Sequence, residues 1–457
     1  MKRIFAVMLI LVLLTGCGKA ALLDLSEIRT DPGRVVWGAS EGGDPSLGDV
    51  GLFYIEDCLL KFYDLDLKES YVLCGKPNCR HNTEKCNAYF SRDIYGESAN
   101  NVAQLDGYLY CTYNTTTMLN YSDPTAEKAI QLLRIDPGSG ERKVIAAFPA
   151  AYNAAEETNS WYASFINYSV EYCNGFAWFA LQLSQHGTDA SYHQLTGVNL
   201  SSGEIVVLNG NDGYDYTINK VCADSIYYTR RKDTVPLLPR DEFYRLYVDN
   251  DHAVTIDGNV FTEYPDYVIW QGKHYPDEYA IFQYRIEDGT SVPLFSGETI
   301  RIDDSQLLPY KIWGEWQGKT IYKKYLPDPD GTYSNQYHIG ICTWDPATGT
   351  EILVLELENG DGLAIAGGSA AIFPDGKLLY AENINDKTAD IRMYSFVTGE
   401  TADLFTDDCR ITFRIYGEWA DGYIGLHKDH QLEGFYWISK EDFFAGDLDA
   451  MVHYDIG

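Results

Sequence analysis

The sequence predicts an all-β fold built from one repeated unit, and three observations predict it. The first is composition: 45% of residues are hydrophobic and 36 are tyrosine, too much aromatic surface for a disordered chain despite a net charge of −32. The second is a turn phrase that recurs between strand-like runs. It reads Asp-Pro-Gly-Ser-Gly-Glu at Asp136 to Glu141, and it returns at Val198 to Glu204, Thr343 to Glu351 and Tyr394 to Glu400. Looser copies stand at Tyr63 to Glu69 and Tyr284 to Thr290. In such a turn the Asp side chain caps its own backbone and glycine takes the left-handed position. The third is a near copy: Ile312 to Gly318 and Ile415 to Asp421 both carry Gly-Glu-Trp. They lie two repeats apart, which sets the repeat at roughly 50 residues, the length of four strands with their turns. Together these give a single β-propeller of seven or eight four-stranded blades.

The count of units is eight. Opening turns lie near Asp49, Asp106, Asn174, Asp224, Asp266, Gln317, Asp375 and Asp421. The count becomes seven if the weak unit around Asp224 merges with its neighbour. A pair of β-sandwiches could share the turns, but it needs no regular period. Ring closure is expected from Arg34 to Trp37, set beside Gly434 to Ile438.

The N-terminus carries a different signal. Lys2 and Arg3 precede an apolar run from Ile4 to Leu14, followed by Thr15, Gly16 and Cys17. That is the layout of a cleaved secretory signal, and the run is too short to cross a bilayer, which takes about 20 residues. Leu14 to Cys17 resembles the lipobox of bacterial lipoproteins. The resemblance implies that Cys17 becomes the new N-terminus and carries glyceryl-linked acyl chains and palmitate; the alternative is an ordinary signal with an incidental Cys17. The expected segments are 1–16 as signal peptide, 17–33 as lipidated Cys17 and tether, and 34–457 as propeller with residues 74–96 as a Cys/His-containing inter-blade loop. The expected place is the extracytoplasmic face of the cell membrane. With 67 acidic against 35 basic residues, the surface repels phosphate backbones, so nucleic acid is not an expected partner.

The densest chemistry lies between Leu73 and Ala88, which holds Cys74, Cys79, His81 and Cys86. Three thiolates and an imidazole are a complete tetrahedral set for zinc. The spacing is not that of the familiar zinc fingers. Export also permits disulfides, yet three local cysteines are odd in number, and setting Cys17 aside turns the chain's 10 cysteines into an odd set. A metal site, one local disulfide with a spare thiol, and buried or redox thiols therefore all stay open. A structural zinc is the preferred role, because four filled positions leave none for substrate. As a link between one blade's outer strand and the next blade's inner strand, the segment is expected on the face around the channel entrance. Cys58, Cys111, Cys173, Cys222, Cys342 and Cys409 read as small buried residues of apolar strands.

Other candidates are weaker. Asp328 to Gly331 and Asn209 to Gly213 hint at calcium loops but lack the spaced acids that six to eight oxygen ligands need. Glu315-Trp316 and Glu418-Trp419 read as packing at an inner-strand end. No nucleophile elbow, zinc-protease helix or phosphate loop is present in the sequence.

The Asp-x-x-Thr/Ser-Gly-Glu turns resemble those of TolB-like and quinoprotein-like propellers. The quinoprotein tryptophan is missing after Glu204 and Glu351. Leu73 through Ala88 also resembles a Leu-Cys-x-Lys-Pro-x-Cys-x-His…Cys-x-Ala phrase of uncharacterised propeller lipoproteins. These resemblances imply fold and location and leave activity open. Two function classes follow. One is a non-catalytic binding or scaffold module for a peptide, glycan or partner protein. The other is an extracytoplasmic enzyme, such as a lyase, hydrolase or quinoprotein-like oxidoreductase, with its site at the channel mouth. Perturbed carboxylates, histidines or arginines in the channel would favour the enzyme.

Overall fold

The computed structural model describes residues 46–454 apart from 49–50, 92–98, 117–127, 151–160, 166–169, 186–190, 209–213, 223–224, 233–253, 257–258, 265–266, 273–277, 299, 303–304, 328–336, 358–370, 374, 386–387, 409–412 and 430–431. The signal, Cys17, the tether, Arg34 to Trp37, Cys409 and both candidate calcium loops lie outside the described residues.

Seven four-stranded antiparallel sheets follow one another along the chain. Blade 1 is Ser46–Leu47, Gly51–Glu56, Leu59–Asp64 and Glu69–Val72; blade 2 is Ala99–Leu105, Tyr108–Asn114, Ala129–Ile135 and Arg142–Pro149. Blade 3 is Glu171–Cys173, Phe176–Gln185, Ser191–Asn199 and Ile205–Val207, with Trp161–Phe165 as an extra partner of its second strand. Blade 4 is Asp215–Val221, Ser225–Lys232, Glu278–Arg285 and Thr290–Glu298; blade 5 is Tyr310–Trp316, Lys319–Pro327, Tyr337–Asp345 and Thr350–Leu357. Blade 6 is Ala371–Ile372, Lys377–Asn385, Thr388–Ser395 and Thr401–Asp408, and blade 7 is Phe413–Trp419, Gly422–Asp429, Leu432–Ser439 and Val452–Tyr454.

The count of eight is therefore corrected to seven. The extra unit is a separate three-stranded meander, Val254–Ile256, Asn259–Tyr264 and Tyr267–Gly272, inserted between the second and third strands of blade 4. Reversal chemistry is the same wherever antiparallel strands turn back, so turn signals count hairpins and not blades.

Among the described residues the ring closes between blade 7 and blade 1. Both edges of Leu432–Ser439 are taken, one by Gly422–Asp429 and the other by Val452–Tyr454. Beside Phe435 to Trp437 the described partner is the C-terminal strand, while Arg34 to Trp37 lie outside the described residues. A short helix, Lys440–Ala445, carries the chain round to that last strand; its N-cap Ser439 accepts a hydrogen bond from the Asp442 N–H. Blade 7 meets blade 1 through side chains: Leu47, Leu52, Tyr63 and Leu65 pack with Ile424, Phe435 and Tyr454. The Tyr63 and Tyr454 rings stand edge to face at 6.2 Å.

Each of the seven hydrophobic clusters lies between two neighbouring blades, so the core is a ring of wedges and not a central ball. This explains why strands such as Gly51–Glu56 are buried along nearly their whole length. First strands touch the first strands of adjoining blades, in blades 1 and 2, 3 and 4, 4 and 5, 5 and 6, and 7 and 1. They are therefore the innermost elements and line the axis.

The recurring turns join third to fourth strands, and their chemistry is as expected. Asp136 Oδ1 accepts from the Gly138 and Ser139 N–H groups at 2.8 and 3.0 Å, and Asn199 does the same for Ser201 and Ser202. Gly140, Gly203, Gly349 and Gly399 all have φ between 66° and 76°. A Cβ on Gly203 would lie 2.7 Å from the Ile145 carbonyl oxygen, whereas one on Gly399 meets nothing within 4 Å. Gly399→Ala is accordingly expected to cost about 1 kcal/mol from the left-handed backbone alone. Gly203→Ala should cost more, with the difference in urea midpoints reporting the clash with blade 2.

The repeated Gly-Glu-Trp phrases do end the first strands of blades 5 and 7. Trp316 stacks on Phe396 at 5.4 Å, and the Trp419 carbonyl accepts from Trp437 Nε1 at 3.0 Å. Glu418 accepts from Lys440 at 2.6 Å, and Glu315 accepts from Tyr227 and Gln283. The packing reading of these pairs holds.

Candidate metal centre

Cys74 to Phe90 runs from the outer strand of blade 1 towards the inner strand of blade 2. Two local turns present its donors: Cys79 N–H bonds to the Lys76 carbonyl at 3.4 Å and Cys86 N–H to the Thr83 carbonyl at 2.8 Å. Asn78 and His81 hold φ of 59° and 54°, conformations that L residues adopt at a cost of roughly 1–2 kcal/mol each. Cys86, Ala88 and Phe90 are buried in the wedge between blades 1 and 2 and offset part of that cost.

The structure brings the four sequence-predicted residues together. One ligand atom each from Cys74, Cys79, His81 and Cys86 lies within 4.8 Å of the others, and His81 Nδ1 is 3.3 Å from Cys86 Sγ. Tetrahedral zinc with ordinary Zn–S and Zn–N lengths needs sulfurs about 3.8 Å apart and S···N near 3.6 Å. The donor set fits that ion in number, type and spread. All eight described cysteines are free thiols.

The thiols are not equivalent. Burial pushes the Cys74 thiol up, but hydrogen bonds from the Lys76 and Asn87 backbone and from the Cys86 and Cys79 thiols bring it down to about 6. Burial pushes Cys86 up to about 11, against the Ala88 N–H and with the help of Cys74 and Cys79. One sulfur is thus ready to be a thiolate at neutral pH. For the metal-free protein the sign is fixed by Cys74: its folded value lies below the ordinary 9.0. Its contribution to stability is complete above that ordinary value and disappears as pH falls through about 6. Urea midpoints of chelator-treated protein are expected to rise from pH 6 towards 8, and a Cys74→Ser variant should flatten the rise.

The cluster is sewn to both blades. On blade 1, Leu60 N–H bonds to the Ala88 carbonyl, Phe90 N–H to the Cys58 carbonyl and Leu73 N–H to the Leu60 carbonyl, at 2.9, 2.8 and 3.0 Å. On blade 2, Asn87 Nδ2 donates to the Ser139 carbonyl at 3.1 Å, and Arg142 donates to the Tyr89 carbonyl at 2.8 Å with its guanidinium 3.7 Å from the Phe90 ring centroid. Gly75 approaches Ser139 so closely that a Cβ would sit 2.8 Å from its carbonyl oxygen. These partners belong to third strands, fourth strands and the turns at either end of the third strand. The cluster therefore sits on the outer halves of blades 1 and 2, further from the axis than the channel entrance expected from sequence.

Arg142 was not singled out in the sequence. Its guanidinium acts electrostatically on Cys86 and Cys74 and opposes the net negative charge of three thiolates on a divalent ion. Only the fold places it there, 56 residues beyond Cys86. Also unseen was a polar network between blades 4 and 5. Gln283 Nε2 donates to Ser225 Oγ, Glu315 Oε1 and Tyr227 OH at 2.9, 3.0 and 3.2 Å, and Tyr227 OH also bonds Glu315 and Thr320. Of the remaining described cysteines, Cys58, Cys111, Cys222 and Cys342 are buried as expected, and burial lifts Cys111 to about 12 and Cys342 to about 11, whereas Cys173 is only half-buried and its thiol donates to the Cys222 carbonyl at 3.3 Å. Of the scattered histidines, His193 faces Asp215 at 3.3 Å and His338 faces Glu356 at 2.7 Å, each a separate pair.

No protein-family model and no curated protein matches the chain. Among solved structures it is similar to a puromycin-hydrolyzing peptidase of Mycobacterium tuberculosis, at 11% identity over 93% of this chain and 56% of that one, with a TM-score of 0.46. It is similar to an oligogalacturonate lyase of Vibrio parahaemolyticus, at 9% identity over 90% and 85% of the two chains, TM-score 0.39. It is also similar to TolB of Acinetobacter baumannii, at 10% identity over 89% and 77%, TM-score 0.33. The chain spans little more than half of the peptidase. The propeller itself is read from the seven sheets and not from these likenesses.

Proposed function

We propose that this chain is a lipid-anchored extracytoplasmic propeller that acts as a binding or scaffold module for a peptide, glycan or partner protein. Cys17 carries the anchor, and Cys74, Cys79, His81 and Cys86 hold a structural zinc ion. The observation that carries the reading is the closed four-donor set stitched into the seam of blades 1 and 2. It is the densest group of reactive side chains in the sequence, and a filled tetrahedral site builds scaffold and leaves no position for substrate. The test is elemental analysis of the purified protein beside Cys79→Ser, followed by glycan and peptide arrays. About one equivalent of zinc in wild type and a loss in the variant support the reading; less than about half an equivalent in wild type removes the metal from it.

A second reading, an enzyme with its site at the channel mouth, is favoured by one observation. Glu171 lies on the first strand of blade 3, and burial raises its carboxyl while Lys220 opposes the shift. Turnover abolished by Glu171→Gln, with the fold intact, would select this reading.

A further inference from the structure

The thiols of the Cys/His cluster do not stand alike towards solvent. Cys86 is 2% exposed and packs in the wedge between blades 1 and 2, whereas Cys74 and Cys79 are only half-buried. The Cys86 sulfur is also engaged: it accepts from the Ala88 N–H at 3.3 Å and faces His81 Nδ1 at 3.3 Å. Just beyond it the chain is tied to blade 1, through the Ala88 carbonyl on Leu60 N–H and through Phe90 N–H on the Cys58 carbonyl.

Cys74 and Cys79 stand on one short reversal instead, with Gly75 to Asn78 between them. Cys79 N–H bonds back to the Lys76 carbonyl, and Asn78 takes the left-handed conformation that turns the chain. The two sulfurs lie within 4.8 Å of each other. A disulfide needs them about 2 Å apart, so a shift of less than about 3 Å closes the gap. Elsewhere Cys58, Cys111, Cys222 and Cys342 are buried, and the half-buried Cys173 stands on blade 3. Among the described residues, two half-buried thiols within reach of each other therefore occur at this one place.

We propose that Cys74 and Cys79 are a reversible oxidation site, which hydrogen peroxide closes to a disulfide so that the metal centre loses its ion. The site rests on the zinc reading above and gives it a regulation. One of the two sulfurs, as thiolate, attacks a peroxide oxygen. The O–O bond breaks, the departing hydroxide takes up a proton to become water, and a sulfenic acid is left on that cysteine. The other thiolate attacks this sulfur; the S–S bond forms, the S–O bond breaks, and the second hydroxide leaves as water after taking up a proton. Two thiolates, one hydrogen peroxide and two protons thus give one disulfide and two waters, and the two electrons lost by sulfur reduce the peroxide. His81 and Cys86 remain, two donors where tetrahedral zinc takes four. Gly75, next to Cys74, is packed against the Ser139 carbonyl of blade 2, so the movement of Cys74 is passed to the seam. An extracytoplasmic protein meets such an oxidant away from the cytosolic systems that keep thiols reduced.

The test uses the full chain in detergent, reduced, loaded with zinc and titrated with hydrogen peroxide. A chromogenic chelator reads the released zinc, and mass spectrometry of unreduced peptides reads the disulfides. About one zinc is expected to leave per disulfide formed, with Cys74 joined to Cys79, and zinc should be taken up again after dithiothreitol. Cys173→Ser, which lacks the other half-buried thiol, should release zinc along the same curve. Disulfides made chiefly through Cys86, or release that dithiothreitol does not reverse, overturn the site. Zinc that stays bound throughout the titration removes the switch and leaves the metal reading standing. A protein that takes up no zinc at all removes the metal reading, and the switch with it.

Discussion

Deleting residues 452–457 is expected to destabilise the protein by about 4 kcal/mol or more. Val452–Tyr454 supplies the outer strand of blade 7. Its Tyr454, only 8% exposed, also fills the seam against Tyr63 of blade 1 and lies beneath the Lys68 ammonium at 4.8 Å. The deletion therefore opens a sheet edge and a ring interface at once. Tyr454→Ala alone removes the ring contacts and keeps the backbone ladder, and about 3 kcal/mol is expected for it, in the range of buried aromatic truncations. Urea unfolding followed by tryptophan fluorescence measures both. Midpoints equal to wild type would show that closure of the ring does not depend on the C-terminal strand.

If the four donors hold zinc as proposed, removing it is the second large effect expected. Structural zinc sites in isolated fingers are worth roughly 10 kcal/mol or more of folding free energy. The expected loss here is smaller, a few kcal/mol, because blades 1 and 2 keep the wedge of Phe53, Leu60, Phe90, Leu109 and Leu133 between them. Chelation, Cys86→Ser and His81→Ala should each lower the melting temperature and open residues 74–90 to limited proteolysis. Cys58→Ser, at a buried thiol outside the donor set, should leave metal content intact. Proteolysis that is equally slow with and without chelator would mean that the hydrogen bonds to Leu60, Cys58 and Ser139 hold the segment without an ion.

What was legible in the sequence was local. The Asp136, Asn199 and Asp345 turns are encoded within a few residues, so their geometry follows from residue type. The four donors of the metal centre fall within thirteen residues, close enough for loop turns alone to gather them. What failed needed distance. Asp266 looks like a blade's opening turn because its hairpin has the same chemistry, and only pairing of Ser225–Lys232 with Glu278–Arg285 reveals an insertion. Val452–Tyr454 is three residues long, too short for any period to mark it as a strand. Arg142 and the Tyr227–Gln283–Glu315 network are joined to their partners by ring geometry, which no spacing in the chain encodes.

The way the ring closes has a mechanical consequence. Among the described residues, blade 7 is built wholly from residues 413–454 and shares no backbone ladder with blade 1. A pull applied through the N-terminus is borne first by blade 1, and it would shear the Leu47–Gly417 and Tyr63–Tyr454 contacts without unzipping blade 7 strand by strand. Under load such a ring should yield at one seam, opening like a cut washer while six of its seven wedges stay packed.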